Sequence, residues 1–192
     1  LFDDGKVLIC NGHEFRMLYP ELFAQSGLVV SKLQMLQTVA FPDLNMKGNI
    51  LTGLTIRRYE SFQHCPSYAD LTTPVHYEEL KKWGIHVLFK QALDGSVVVG
   101  DSHEYAGAGQ VDDLGYHIND YINQLIIDEA KRIVTFPVEK MQQSWAGFYS
   151  QTTDEIYEHD VDDHIRIITG IGGKGMTSSG GYSEETIARL FS

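Results

Sequence analysis

A glycine run near the C-terminal end constrains this chain more than any other feature. Gly170-Ile171-Gly172-Gly173-Lys174-Gly175 follows a β-rich run, His164 to Thr169, and precedes helix-forming sequence that reaches about Leu190. Glycines let backbone N–H groups come close to a ligand, and a helix starting there presents partial positive charge. The spelling fits G-x-G-x-x-G, but the place does not. A dinucleotide fingerprint opens the first strand–helix–strand unit and is followed by an acidic residue about 20 positions on. Here the sequence given ends at Ser192. The loop therefore suits an electron-rich ligand rather than a pyrophosphate; the alternative is a plain structural turn.

Upstream, the pattern alternates short strands and helices. Lys6–Cys10 reads as a buried strand, and Cys10 as a small buried residue. Tyr19–Ala24 reads as a short helix with Pro20 in its first turn. Ser31–Phe41 and Ile50–Tyr59 have strand character, and Glu60–Pro74 is loop-rich. Tyr77–Trp83 predicts a helix stopped by Gly84. Ile85–Leu93 and Ser96–Asp101 predict a hairpin turning through Asp94-Gly95 in a type I′ turn. After the glycine-rich stretch Gly107–Gln110, Asp112 or Asp113 can cap a helix to about Ile133. Leu114, Ile118, Tyr121, Ile122, Leu125, Ile126 and Ala130 form its apolar stripe. Phe136–Gln142 reads as a strand, and Trp145–Thr153 as an aromatic and polar stretch. The opening Leu1-Phe2-Asp3-Asp4-Gly5 reads as the turn before a core strand, so a fragment of a longer protein is expected.

The formal charge of −11 and the sequence pI of about 5.0 disfavour a nucleic-acid partner, because such a surface repels phosphate backbones. No apolar run approaches the roughly 18–20 residues that span a bilayer. The spacing of the two cysteines, Cys10 and Cys65, asks for no disulfide, which is the usage of a reduced cytoplasmic protein.

Three constellations carry potential chemistry. The first is the glycine loop. The second is Gly100-Asp101-Ser102-His103-Glu104-Tyr105, whose acidic and histidine side chains could hold a metal. Alternate side chains on an extended run point opposite ways, which favours a plain strand end, and no metal is expected. His86 sits nearby in sequence pattern, inside the hairpin strand, either as a satisfied core histidine or as a residue aimed into a cavity. The third is Trp145-Ala146-Gly147-Phe148-Tyr149-Ser150, which suits a planar ligand or a buried aromatic strand.

In order, these features are a Trp-x-Gly-aromatic strand, Thr152-Thr153-Asp154, a strand, then G-x-G-G-x-G-x-T and a helix. That order resembles the C-terminal third of the D-amino-acid oxidase, glycine oxidase and sarcosine oxidase superfamily. Val7–Gly12 resembles the strand that returns to that family's FAD-binding domain, Gln34-Met35-Leu36 its G-Q-x-L strand, and Gly100–Glu104 its central signature. The resemblance implies an α+β fold. An antiparallel-sheet substrate domain with flanking helices would span residues 31–145. Pieces of a Rossmann-type FAD-binding domain would lie at 1–30 and 146–192, the latter contacting the flavin.

It further implies that Gly170, Gly172, Gly173, Lys174, Gly175, Met176 and Thr177 bind FAD, and that His86 and Tyr149 face a small-molecule amine substrate. Gly147 stands where sarcosine oxidases carry the cysteine bonded to FAD, so noncovalent FAD is expected. No arginine accompanies Tyr149, Thr177 replaces a carboxylate-binding lysine, and His86 replaces the lysine linked to oxygen activation. Gly100–Tyr105 and Gly170–Gly181 resemble a bacterial branch associated with phosphonate breakdown, which implies a secondary amine or an aminophosphonate. Exposed core surface where the rest of an FAD domain would pack favours a homo-oligomer. Two rival readings are a cofactor-free binding domain that reuses the fold, and a metal hydrolase using Asp101, His103 and Glu104.

Overall fold

The computed structural model describes residues 5–59 and 62–191. The turn expected over Leu1–Asp4 lies outside the described residues, as do Glu60 and Ser61 of the expected loop. The strands are β1 (Val7–Ile9), β2 (Val29–Thr38), β3 (Ile50–Leu51), β4 (Leu88–Gln91), β5 (Val97–Gly100), β6 (Glu104–Gly107), β7 (Met141–Gln151), β8 (Tyr157–Asp160) and β9 (Ile165–Thr169). The α-helices are α1 (Pro20–Gln25), α2 (Gly53–Arg58), α3 (Glu78–Lys82), α4 (Asp120–Lys131) and α5 (Gly175–Phe191). Among the described residues, no helix is long and apolar enough to cross a membrane.

The chain divides into two compact units. One comprises residues 1–31, 105–115 and 148–192, and the other residues 32–104 and 116–147. The boundaries at 31/32 and 147/148 fall inside β2 and β7.

The first unit holds a three-stranded sheet in the order β1-β9-β8. β1 runs parallel to β9, and β8 antiparallel to it. Its core is built on Phe15, Phe23, Leu28, Val30, Ala108, Leu114 and Ile167. Cys10, expected to be buried, is exposed at the end of β1 and is a free thiol. β8 is a strand that the sequence pattern does not announce, since Tyr-Glu-His-Asp lacks an apolar alternation.

The second unit is an antiparallel sheet, β3-β4-β5-β2, with β7 also paired to β2. Leu36, Val87, Phe89, Val97 and Val99 pack against Ile122, Ile126 and Ala130 of α4. Burying each such aliphatic side chain contributes about 1.5–3 kcal/mol. The start of α4 is fastened twice. The Asn119 side chain accepts from the Tyr121 N–H at 3.0 Å. Gln34 Oε1 accepts the Asn119 N–H at 2.7 Å, while Gln34 Nε2 donates to the Asn119 carbonyl at 3.1 Å and to Asn123 Oδ1 at 2.9 Å.

Several local expectations change. Only Ile50–Leu51 of the predicted strand 50–59 pairs as a strand, and Gly53–Arg58 becomes α2. The helix expected from Asp112 is broken at Gly115. Ala108–Leu114 forms a 3-10 turn, and Leu114 joins the core of the first unit instead of the α4 stripe. The strand expected at Phe136–Gln142 starts only at Met141 and continues through the aromatic stretch to Gln151. The hairpin is present, but its turn is not type I′. Among the described residues Tyr19 alone of the non-glycines has positive φ, so Asp94 does not; Gly95 does, at 86°. Gly95 N–H donates to the Ala92 carbonyl and Ala92 N–H to the Ser96 carbonyl, the pattern of a type I turn closed by a glycine bulge.

Candidate functional site

The glycine loop is held from below by two buried hydroxyls. Ser150 on β7 and Thr169 at the end of β9 both donate to the Gly12 carbonyl at 2.7 Å, and their oxygens lie 3.2 Å apart. The Gly170 N–H then donates to Ser150 Oγ at 3.2 Å. Each such bond contributes about 0.5–1.5 kcal/mol net. The cluster joins the loop after β1, the end of β7 and the first residue of the glycine loop. A bridge between Gln151 and Ile171 continues the attachment by one residue.

Beyond Gly170 the chain climbs through two left-handed glycines, Gly170 at φ 75° and Gly172 at 66°. A Cβ on Gly170 would sit 2.7 Å from Leu28 Cδ2, so a side chain there is excluded by packing as well as by dihedral. A 3-10 turn over Gly172–Lys174 leads directly into α5. The first turn of α5 holds no acidic residue to neutralise its positive end. Met176 is 96% exposed, and Thr177 is also open to solvent.

Tyr149 precedes Ser150 on β7. Strand alternation therefore sends Tyr149 to the face opposite the hydroxyl cluster, and Tyr149 is half-buried. Phe148, on the Ser150 face, stacks on His13 with ring centroids 5.4 Å apart. Beside the loop lies a mainly apolar groove of about 240 Å³, lined by Leu8, Ile168, Ile171, Tyr182 and Ile187 among others. α5 is latched to β8 through Glu158, which accepts from Tyr182 and from Arg189 at 2.9 Å and pairs with Arg166 at 2.6 Å. Burial acts to raise the Glu158 carboxyl, but the Tyr182 hydroxyl and the two guanidiniums outweigh it and hold the pKa below the ordinary value.

His86, the other expected catalytic residue, belongs to the second unit and is 3% exposed. Its Nδ1 lies 3.2 Å from Thr55 Oγ1, its Nε2 2.9 Å from Asp101 Oδ1, and its ring is parallel to that of His103 at 5.3 Å. His103 Nδ1 donates to the Gly84 carbonyl at 3.0 Å. Burial drives the His103 pKa down to about 4, Asp101 opposing and Arg58 reinforcing the shift. The alternation along 101–104 holds. Asp101 and His103 share one side with His86, while Ser102 Oγ accepts the Gln34 N–H at 3.1 Å. Glu104, grouped with Asp101 and His103 in the metal-hydrolase reading, lies instead 3.7 Å from the fully buried Lys32.

The hydroxyl cluster of Gly12, Ser150 and Thr169 escaped sequence reasoning. A serine in an aromatic strand and a threonine before a glycine are too common to stand out, and only the meeting of three distant segments gives them meaning. The approach of His86 to Asp101 and His103 had a visible signal, because a hairpin turning near Asp94 brings residue 86 opposite residues 101–103.

The sequence matches the FAD dependent oxidoreductase family over residues 5–189. The chain belongs to this family. Among solved structures it is similar to glycine oxidase from Geobacillus kaustophilus, at 12% identity and a TM-score of 0.59, covering 96% of this chain and 41% of that one. It is likewise similar to glycine oxidase from Bacillus cereus ATCC 14579, at 17% identity and a TM-score of 0.62, covering 97% of this chain and 43% of that one. At these identities the likeness establishes the fold. The chain thus spans less than half the length of both glycine oxidases. No curated protein matches the sequence significantly.

For a member of a family of FAD-dependent oxidoreductases, the observed donor set fits an electron-rich edge of such a cofactor. Backbone N–H groups at the start of α5 lack an acidic neighbour in that turn, Lys174 adds a cation, and left-handed glycines keep side chains away from the loop.

Proposed function

We propose that this chain is the substrate-facing and flavin-facing portion of an enzyme that oxidises the C–N bond of a small amine or amino acid, with FAD bound noncovalently. The reading is carried by one observation: the Gly12–Ser150–Thr169 cluster fixes the glycine loop at the N-terminus of a 17-residue helix, one residue from Tyr149. Gly170, Gly172, Gly173, Lys174, Gly175, Met176 and Thr177 would hold the flavin.

When bound, flavin supplies a two-electron acceptor for the hydride on the carbon beside the amine nitrogen. The chain's own residues then have three tasks. The positive end of α5 and Lys174 favour negative charge at the ligand edge they face, an effect of about 0.3–1 kcal/mol for a helix terminus alone. Tyr149 offers a hydroxyl to orient the amine, and correct placement is the main requirement of a transfer that needs no strong general base. His86, enclosed by Thr55, Asp101 and His103, acts from within the fold by positioning the segments that carry them. Gly147 has no thiol to offer, which supports the noncovalent reading.

β7 carries no arginine between Met141 and Gln151 to clamp a carboxylate. That disfavours a simple α-amino acid, and the resemblance of Gly100–Tyr105 and Gly170–Gly181 to the phosphonate-linked bacterial branch supports a secondary amine or an aminophosphonate. We place the protein in a bacterial cytoplasm, and the exposed Val7, Ile187 and Phe191 support association with a second copy. The test is to purify the full-length protein, release its ligand by denaturation, and record the absorbance spectrum. Native protein is then mixed without oxygen with α-amino acids, secondary amines and aminophosphonates. Free FAD, and bleaching of the flavin bands by a member of the last two classes, is the expected result. No flavin after reconstitution would leave a binding domain that reuses the fold.

A further inference from the structure

We propose that His86, Asp101 and His103 form a buried binding site for one divalent transition-metal ion of the zinc class. Nothing in the flavin reading requires it, and it stands or falls independently.

The site is built by backbone pairing. Beyond the ends of β4 and β5, His86 and Asp101 exchange both main-chain hydrogen bonds, His86 N–H to the Asp101 carbonyl at 3.1 Å and Asp101 N–H to the His86 carbonyl at 3.2 Å. His103 N–H donates to the Trp83 carbonyl at 2.9 Å. A Cβ on Gly84 would lie 2.8 Å from His103 Cβ, so glycine at 84 is what lets that segment close. The three side chains are 3%, 8% and 4% exposed as residues, and one donor atom from each lies within 4.8 Å of the others.

Two observations point to a ligand rather than to a self-contained ion pair. First, Asp101 Oδ1 is buried and accepts no aligned hydrogen bond, although His86 Nε2 is only 2.9 Å away. A histidine donating to that oxygen would aim its N–H along the line between them. A close but off-axis approach leaves room for one central ion after a small outward shift, since bonds of about 2.0–2.2 Å put adjacent donors roughly 3.3–3.6 Å apart in the tetrahedral arrangement that zinc prefers. Second, each imidazole has a polar partner at Nδ1. A carbonyl oxygen can only accept, so His103 carries its proton on Nδ1 toward Gly84, and its lone pair is on Nε2. His86 Nδ1 faces the buried Thr55 hydroxyl, and its Nε2 faces the carboxylate. Metal-bound histidines show this arrangement: the outer partner fixes tautomer and ring orientation while the far nitrogen binds the ion. The rings stack 17° from parallel with centroids 5.3 Å apart, and His103 Nδ1 lies 3.9 Å from Asp101 Oδ1. Two imidazoles and one carboxylate suit zinc and its neighbours rather than calcium or magnesium.

The test uses full-length protein stripped with a chelator, dialysed, and titrated with Zn²⁺ and separately with Co²⁺. Metal content, the visible Co²⁺ absorption bands and the thermal midpoint are followed. We expect one tight equivalent per chain, a thiolate-free Co²⁺ spectrum of low symmetry, and a midpoint that rises with Zn²⁺. Asp101→Asn and His103→Gln should each lower the affinity at least 100-fold. Exposed histidines elsewhere would give weak uptake that survives both substitutions, and that result would overturn the site. So would stripped wild-type protein that takes up no metal and shows no shift in midpoint, a reading that holds even if either variant fails to fold.

Discussion

Replacing Gly170 with alanine tests the account of the glycine loop most directly. Two costs add. Alanine at φ 75° enters the left-handed region, at about 1–2 kcal/mol. Its Cβ would also lie 2.7 Å from Leu28 Cδ2 in a core position that is 1% exposed, an overpacking cost of about 1–3 kcal/mol. The expected destabilisation is therefore roughly 2–5 kcal/mol. Gly172→Ala is the internal control. It shares the dihedral cost at φ 66°, but its Cβ would meet Gln151 Cβ at 3.4 Å, so only about 1–2 kcal/mol is expected. Both tryptophans lie in the other unit, so hydrogen exchange read by mass spectrometry over residues 165–191 is the suitable assay. Protection there should fall roughly 30-fold to several-thousand-fold in Gly170→Ala, at about 1.4 kcal/mol per tenfold. In the double variant with Leu28→Ala, part of the Gly170 cost should vanish, because the clash partner is gone. Equal protection in the two glycine variants, or strict additivity with Leu28→Ala, would refute the packing argument.

Three further outcomes are expected. Gln34→Ala removes three bonds that seat the start of α4 and should destabilise the second unit by about 2–4 kcal/mol in urea denaturation; a loss below about 0.5 kcal/mol would show that Asn119 caps the helix alone. Glu158 has a lowered pKa in the fold, so its contribution is fully present above the unfolded value near 4.5 and is lost as pH falls through the folded value; Glu158→Gln should flatten the acid limb of the stability curve below about pH 4.5, and an unchanged limb would contradict the latch. Tyr149→Phe should slow anaerobic flavin reduction by the preferred amine about tenfold while leaving FAD content intact, the worth of one orienting hydrogen bond; an unchanged rate would remove Tyr149 from the substrate face.

Local pattern alone was enough to place β1, α1, α3, the β4–β5 hairpin, β9 and α5, because glycine, proline and apolar periodicity act over a few residues. It also carried the family, through the order of the aromatic strand, the Thr-x-Asp turn and the glycine loop. What it misplaced depended on partners far away in the chain. Leu114 fits a helical stripe by spacing, yet the left-handed Gly115 ends the turn and the first unit claims the side chain. Residues 53–58 look extended, but helix α2 lets Leu54 reach the second core and sets Thr55 beside His86. The site residues divide the same way. The glycine loop could be read from its own spelling. The hydroxyl pair beneath it, and the meeting of His86 with Asp101 and His103, exist only once strands from separate parts of the sequence pair. A hydrogen bond between Ser150 and a carbonyl 138 residues away leaves no periodic trace, so tertiary pairing alone decides it.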